Sequence, residues 1–363
     1  MRVLFDYQIF LDQKYGGISR YFANLHYGIN AQNDSSSKLG LLFTDNAYIK
    51  NQQLPAGVFN KFIKKESRRF KYNKWYSKHL LQQNNFDVFH PTYYNSYFLK
   101  SLKKPFVLTV HDMIHELFPQ HFEKGFDAFK YKGEVINRAD HIIAISECTK
   151  NDIQKFYNID DSKISVIYHG YQMQTSAGVS TSFAINGKYI LFVGDRSGYK
   201  NFNLFIRAAA PIISKYSIKL ICAGGGPFKP EEIKLIRELN LIDSAQQLTV
   251  TDDQLASLYK HAEAFIYPSL YEGFGLPVLE AFYNNCPIIM SNTSALPEVG
   301  GDAAVYFNPM DEQSVAIAIE QVVSDNDKQD NLREMGKGRL KLFSFETCLQ
   351  KTLQVYHSLV YSN

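Results

Sequence analysis

Tyr271-Glu272-Gly273-Phe274-Gly275-Leu276-Pro277-Val278-Leu279-Glu280-Ala281 sets two carboxylates eight positions apart, with a glycine-bracketed turn and a proline between them. Pro277 fits the first turn of a helix, where its missing N–H leaves no bond unmade. Gly273, Phe274 and Gly275 then fall just ahead of a helix start, with backbone N–H groups able to meet a ligand. That end of a helix attracts anions and oxygen acceptors. Glu272 is expected in the loop and Glu280 in the first turn behind it, both suited to accept hydrogen bonds from a hydroxyl-rich ligand. The same residues also suit an ordinary strand-to-helix turn in which a glutamate caps the backbone.

Outward from this stretch, short apolar runs rich in Val, Ile and Phe alternate with longer amphipathic segments along the whole chain, which predicts an α/β protein with parallel sheets. Strands are expected at Arg2–Phe10, Leu39–Thr44, Asp87–His90, Phe106–His111, His141–Ser146 and Ile164–His169. Helices are expected at Ile18–Asn30 and Phe126–Arg138. Periodicity stops over 171–187, where Gln, Thr, Ser, Ala and Gly dominate, and a second series follows: Tyr189–Val193, Lys219–Ala223, Gln247–Val250, Ala264–Tyr267, Pro287–Ser291 and Ala303–Phe307. The pattern predicts two doubly wound units, 1–170 and 188–344, a linker at 171–187, and a terminal helix in 345–363 that crosses back to the first unit. Ligands of open α/β sheets bind beyond the C-terminal strand ends, so a cleft between the units is expected to hold the site.

At 363 residues the chain is long for one core, and its 45% hydrophobic content is that of a globular protein. Residues 1–170 carry 23 Lys/Arg against 16 Asp/Glu and residues 171–363 carry 16 against 20, so the halves differ in sign, +7 and −4. Different partners for the two halves would follow. Cys148, Cys222, Cys286 and Cys348 are far apart and lie in or beside apolar segments, as reduced thiols of a cytoplasmic protein would. The start Met1-Arg2-Val3-Leu4-Phe5-Asp6 is too short and polar for a signal peptide, and no apolar run has the length of a membrane span.

Four further segments carry candidate chemistry. Gly194-Asp195-Arg196-Ser197-Gly198-Tyr199-Lys200-Asn201 follows a strand and combines two cations with two glycines, a pattern suited to phosphate or to an exposed charged turn. Gly224-Gly225-Gly226-Pro227 suits either a ligand's flat ring or a tight strand exit. Gly16-Gly17 opens a helix after the first strand, where a diphosphate or a sugar could meet backbone N–H groups. His111 closes the strand that starts at Phe106 and is a candidate to hydrogen-bond a sugar or a departing oxygen. A metal-dependent hydrolase centred on His111, Asp112 and His115 is the rival reading of that segment, although neither zinc-protease helix motif is present. Ser146, at another strand end, is expected to cap the helix that follows.

Between Lys61 and Lys78, eight basic residues and a single acid, Glu66, interleave with Phe62, Ile63, Phe70, Trp75 and Tyr76. Such a helix suits an anionic membrane surface or simply a solvated face. No nucleic-acid module accompanies it, so nucleic acid is not an expected partner. The chain contains neither Gly-x-x-x-x-Gly-Lys-Ser/Thr nor Gly-x-Gly-x-x-Gly, which argues against nucleotide hydrolases and dehydrogenases.

Taken in this order, the segments resemble the retaining GT-B glycosyltransferases, specifically glycosyltransferase family 4, over nearly the whole chain. The resemblance rests on Glu-Gly-Phe-Gly-Leu-Pro-x-x-Glu-Ala with its Glu272-x7-Glu280 spacing, on Lys200-Asn201, on His111 and on Ala295-Leu296-Pro297-Glu298-Val299. It implies that Glu272 and the turn Gly273, Phe274, Gly275 and Leu276 hold the donor sugar and part of its phosphate, and that Glu280 holds the ribose. It further implies that Arg196 and Lys200 neutralise the leaving diphosphate, His111 touches the sugar, Gly16 and Gly17 approach it, and Val250 and Thr251 border the base. In the commonest form of the family an Arg directly follows the strand-end glycine, whereas here Asp195 stands there and Arg196 comes next. The implied activity is transfer of a hexose, mannose favoured, from a nucleotide-diphosphate sugar to a glycan or lipid-linked sugar, with no cofactor and no metal. A non-catalytic nucleotide-sugar or glycan binder on the same fold is the remaining alternative.

Overall fold

A computed structural model of the chain describes residues 1–50, 53–56, 63, 65–121, 127–171, 183 and 185–361. Most of the expected linker, together with Lys61, Phe62 and Lys64 of the basic stretch, lies outside the described residues. The chain divides into two units: Met1–His169 with Glu346–Asn363, and Gly170–Phe345.

In the first unit the strands are β1 (Arg2–Phe5), β2 (Ser36–Leu39), β3 (Val88–His90), β4 (Val107–Val110), β5 (His141–Ala144) and β6 (Ile164–Val166). All pair in parallel, in the orders β2-β1-β3 and β4-β5-β6, and a Phe89–Phe106 bridge joins β3 to the start of β4. The order reverses between β1 and β3.

Several strands stop earlier than the apolar runs suggest, β1 and β2 by the widest margin. At the end of β1 the wholly buried Asp6 carboxylate accepts backbone N–H groups of Gln8 and Thr92 and the side chains of Gln8, Thr92 and Tyr97. That knot turns the chain into a short helix, Gln8–Asp12. Past β2, the N–H groups of Leu42 and Phe43 go to Asn73 Oδ1 at 2.6 and 3.1 Å, and Asn73 Nδ2 returns a bond to Phe43 O at 2.8 Å. A buried amide thus replaces a neighbouring strand as partner, because every buried backbone group needs one.

The second unit holds β7 (Tyr189–Val193), β8 (Lys219–Ala223), β9 (Ala245–Leu248), β10 (Ala264–Tyr267), β11 (Ile288–Ser291) and β12 (Val305–Phe307), in one parallel sheet of order β12-β11-β10-β7-β8-β9. β7, β8 and β10 match their expected limits residue for residue. These strands are buried almost throughout, and one face packs on Phe205, Ile206, Ala209 and Ile213 of the helix Phe202–Tyr216 and on Val315, Ile319 and Val322 of the helix Glu312–Val323. The strand order reverses between β7 and β10, the place where a doubly wound sheet opens a crevice for ligands.

The last helix, Phe345–Tyr361, lies after the second sheet in sequence but packs in the first unit. Its Tyr356 hydroxyl meets His90 Nδ1 at 2.6 Å, and His90 Nε2 meets Thr109 Oγ1 at 3.0 Å. No helix among the described residues is long and apolar enough to cross a membrane.

Candidate functional site

The loops leaving β7 and β10, the two strands at the reversal, bring Lys200 and Glu272 together. Lys200 Nζ donates to Glu272 Oε1 at 2.7 Å. The ammonium also lies over two rings, 5.1 Å from the centroid of Tyr199 and 5.5 Å from that of Tyr267. Burial works against its charge, but Glu272, Tyr199 and Asp195 outweigh burial and hold the Lys200 pKa above its ordinary value. It is therefore a fixed cation at any physiological pH. An ammonium has three donors, and Glu272 takes one.

Glu272 is itself held from several sides. Its backbone N–H donates to Ser294 Oγ at 2.9 Å, its carbonyl accepts from Ala295 N at 3.4 Å, and Tyr267 hydrogen-bonds its carboxylate. Ser294, in the turn after β11, adopts a left-handed conformation at φ 54° to reach that position. The serine- and threonine-rich exit Ser291-Asn292-Thr293-Ser294 was the only sequence signal for this brace.

The turn Gly273, Phe274 and Gly275 is buried and leads into the helix Leu276–Tyr283, with Gly275 as its N-cap. No side chain caps this end, and no acid lies in its first turn. Glu280 stands one turn further in than expected, so it does not cap the helix. Its carboxylate accepts instead from the buried Tyr259 hydroxyl at 3.5 Å. The two acids are therefore held by different tyrosines.

Arg196 departs from the expectation of a diphosphate ligand. Its side chain is almost wholly buried and pairs with Glu232 at 3.1 Å, and its terminal nitrogens donate to the carbonyls of Gly224 at 3.1 Å, Gly226 at 2.9 Å and Pro227 at 3.0 Å. The guanidinium also lies 4.9 Å from the Phe228 ring centroid. The physical reason begins one residue earlier: Asp195 accepts the Arg196 N–H at 2.8 Å and the Ser197 hydroxyl, closing a turn that sends the arginine inward. Gly224, Gly225 and Gly226 all adopt positive φ, and a Cβ on Gly225 would sit 2.6 Å from Gly194 O and 2.9 Å from Arg196 Nη1. The glycine triplet forms a tight exit turn wrapped around Arg196.

Thr251 caps the helix Asp252–His261 in a capping box with Gln254, and Val250 before it is half-buried. Ser146 caps Glu147–Tyr157 as expected, accepting Thr149 N at 3.0 Å.

In the first unit, Gly16 is the N-cap of the helix Gly17–Asn30, whose Ser19 N–H donates to Gln13 Oε1 at 3.1 Å. His111 is buried at the end of β4, with its ring stacked on His169 at 5.7 Å between centroids and edge-on to Tyr21 at 5.6 Å. Both its ring nitrogens lack a hydrogen-bond partner among the described residues. Burial, reinforced by His169, His90 and Lys132, holds its pKa well below the usual histidine value, so the imidazole is neutral. Asp112 and His115 do not join it as a ligand set. His115 Nδ1 is 4.0 Å from Asp112 Oδ1, and among the described residues no group of three or more His, Cys, Asp or Glu is placed to hold a metal ion. The Asp112 carbonyl and Glu116 carboxylate serve the buried Lys132 ammonium at 2.7 and 2.9 Å.

In the basic stretch, the described helix Glu66–Gln83 turns Asn73, Ser77, Leu80 and Leu81 inward and leaves Phe70, Tyr72 and Trp75 exposed.

Residues 15–174 match the model of the family described as Glycosyltransferase Family 4, and residues 180–339 match that described as Glycosyl transferases group 1. The chain belongs to the family 4 glycosyltransferases. Its fold is GT-B, with one Rossmann-like sheet in each unit. Among curated relatives of this family 4 chain, the O-antigen chain mannosyltransferase RfbU of Salmonella typhimurium is 34% identical over 221 residues, 59% of this chain and 60% of that protein. The O-antigen chain mannosyltransferase B of Escherichia coli is 27% identical over 267 residues, 70% of each. Among solved structures, sucrose-phosphate synthase of Thermosynechococcus elongatus shares the family 4 fold with a TM-score of 0.76 at 18% identity, covering 100% of this chain and 99% of that one.

Proposed function

We propose that the protein is a retaining hexosyltransferase that moves a hexose, mannose favoured, from a nucleotide-diphosphate sugar to a glycan or lipid-linked sugar in cell-surface polysaccharide synthesis. The observation that carries this reading is the Lys200–Glu272 contact at the strand-order reversal, beside an uncapped helix start. A cation for phosphate and a carboxylate for sugar hydroxyls there occupy one place. The names of the two O-antigen relatives favour mannose and a polysaccharide product.

Transfer breaks the bond between the anomeric carbon and the phosphate oxygen, leaving negative charge on the phosphate and positive charge on the sugar. Lys200 and the N–H groups of Gly273 to Gly275 stabilise the first, and they do so more in the transition state than in the ground state. Glu272 accepts hydrogen bonds from the sugar and Glu280 from the ribose, while Leu276, Val250 and Thr251 border the donor. His111 and the Gly16-Gly17 turn are assigned to the sugar. The acceptor hydroxyl attacks the face the phosphate leaves and gives its proton to that phosphate, so configuration is retained. No cofactor or metal is needed in this scheme. Arg196 acts through the fold and not on the diphosphate.

Incubation with GDP-mannose and UDP-hexoses, with O-antigen intermediates as acceptors, tests the reading. Release of nucleoside diphosphate and an α-linked product by NMR are expected. Lys200→Ala should cost roughly 100-fold or more in transfer, as removing one transition-state donor typically does. Binding of a donor with no turnover on any acceptor would favour a non-catalytic binder. The exposed Phe70, Tyr72 and Trp75 among lysines support a second proposal, docking on anionic membrane surfaces. Sedimentation with anionic liposomes at low salt should show it, and no binding there would remove it.

A further inference from the structure

Glu272 and Glu280 each rest on a buried tyrosine that no motif of the sequence marks. Tyr267, the last residue of β10, is 3% exposed, and its hydroxyl hydrogen-bonds the Glu272 carboxylate. Its ring faces the Lys200 ammonium at 5.5 Å, and its edge would lie 3.5 Å from a Cβ placed on Gly275. One side chain therefore touches the carboxylate, the cation and the turn. Tyr259, on the helix Asp252–His261, is 1% exposed and donates to Glu280 Oε2 at 3.5 Å. Between them stands Phe265, with its ring centroid 5.3 Å from Tyr259 and 5.3 Å from Tyr267. Three rings from one helix and one strand form a continuous row beneath the two acids.

We propose that Tyr267 and Tyr259 are positioning residues of the donor site, Tyr267 fixing Glu272 for sugar transfer and Tyr259 fixing Glu280 for the nucleoside. The inference rests on the donor-site reading above. A carboxylate can rotate about its last side-chain torsion, which is broad. A phenol donating to the carboxylate restricts that rotation, and a tyrosine held by packing loses little entropy in doing so. The ring of Tyr267 beneath Lys200 adds a cation–π contact that survives loss of the hydroxyl, so Tyr267→Phe separates the two contributions.

The test uses the full chain and the variants Tyr267→Phe and Tyr259→Phe, with calorimetric binding of GDP and UDP and donor-dependent kinetics measured in parallel. Both variants keep their rings and should melt within a few degrees of the wild type. Tyr259→Phe is expected to weaken nucleoside diphosphate binding and raise the donor KM by about 3- to 10-fold with kcat kept, the size of one lost hydrogen bond. Tyr267→Phe is expected to lower kcat by about 3- to 10-fold and leave nucleoside diphosphate affinity within about twofold. Wild-type behaviour in both variants would overturn the proposal while leaving the donor site standing. So would parallel losses in kcat and KM that track melting temperature, the mark of a purely structural role. Failure of the wild type to bind any nucleoside diphosphate would overturn the donor-site reading and this inference with it.

Discussion

Arg196 and Lys200 are four positions apart after the same strand, yet one holds the fold together and the other serves the site. Their separation follows from Asp195, whose carboxylate closes the turn and sends Arg196 into the Gly224–Gly226 carbonyls. Removing one partner of a buried ion pair strands the other, which typically costs 3–5 kcal/mol. Arg196→Ala is therefore expected to lose about that much unfolding free energy in urea, with any loss of transfer explained by the fraction unfolded. Unchanged stability with weakened donor binding would restore Arg196 to the diphosphate. The cationic character of this loop was legible in sequence, but the division of labour was not. It is decided by a carbonyl-lined turn, Gly224–Pro227, that comes from another strand.

At the scale of elements, the helix Leu276–Tyr283 owes its open N-terminus to Gly275, which sits at φ +106°, a conformation that L side chains avoid. A Cβ there would also stand 3.0 Å from Leu296 Cδ2. Gly275→Ala should cost about 1–3 kcal/mol of stability by chemical denaturation and weaken donor binding in proportion to the displaced turn. A variant as stable as the wild type would show that the turn tolerates another conformation. Proline at the second helical position and glycine before it made this element readable from sequence. Strand limits were readable residue for residue in β7, β8 and β10, which are buried at all but one terminal residue in each of β7 and β8. They were overread where a polar side chain took over the backbone bonds, as Asp6 does after β1 and Asn73 does beyond β2. The Tyr259–Phe265–Tyr267 row was not readable, because apolar and aromatic residues on a strand and helix look the same whether they fill a core or brace a carboxylate.

Across the molecule, several histidines are buried neutral. Burial lowers the pKa of His90 to about 3 and those of His26 and His169 to about 4, and it holds His111 well below its usual value. The unfolded chain binds these protons near pH 6.5 and the folded chain does not, so stability falls as pH drops below about 6.5, by up to about 1.4 kcal/mol per histidine per pH unit. Burial raises the pKa of Asp6 and Asp12, which acts in the opposite sense once the pH nears the carboxylate range. Thermal melts between pH 7.5 and 5.5 should therefore show the first unit losing its transition temperature on acidification. A flat profile would mean that these histidines are solvated. The twofold α/β repeat and the return of the last helix to the first unit were legible from the order of apolar runs. The tie that fixes that helix, Tyr356 on His90, spans 266 residues and left no local signal.

The central claim is that Lys200 and Glu272 form the phosphate-and-sugar corner of a nucleotide-sugar site. Calorimetric titration of GDP and UDP into wild-type protein and a folded Lys200→Gln variant tests it most directly. Binding of at least one nucleoside diphosphate, weakened by roughly 10- to 100-fold in the variant, is the predicted result. Equal affinity in the two proteins would contradict it.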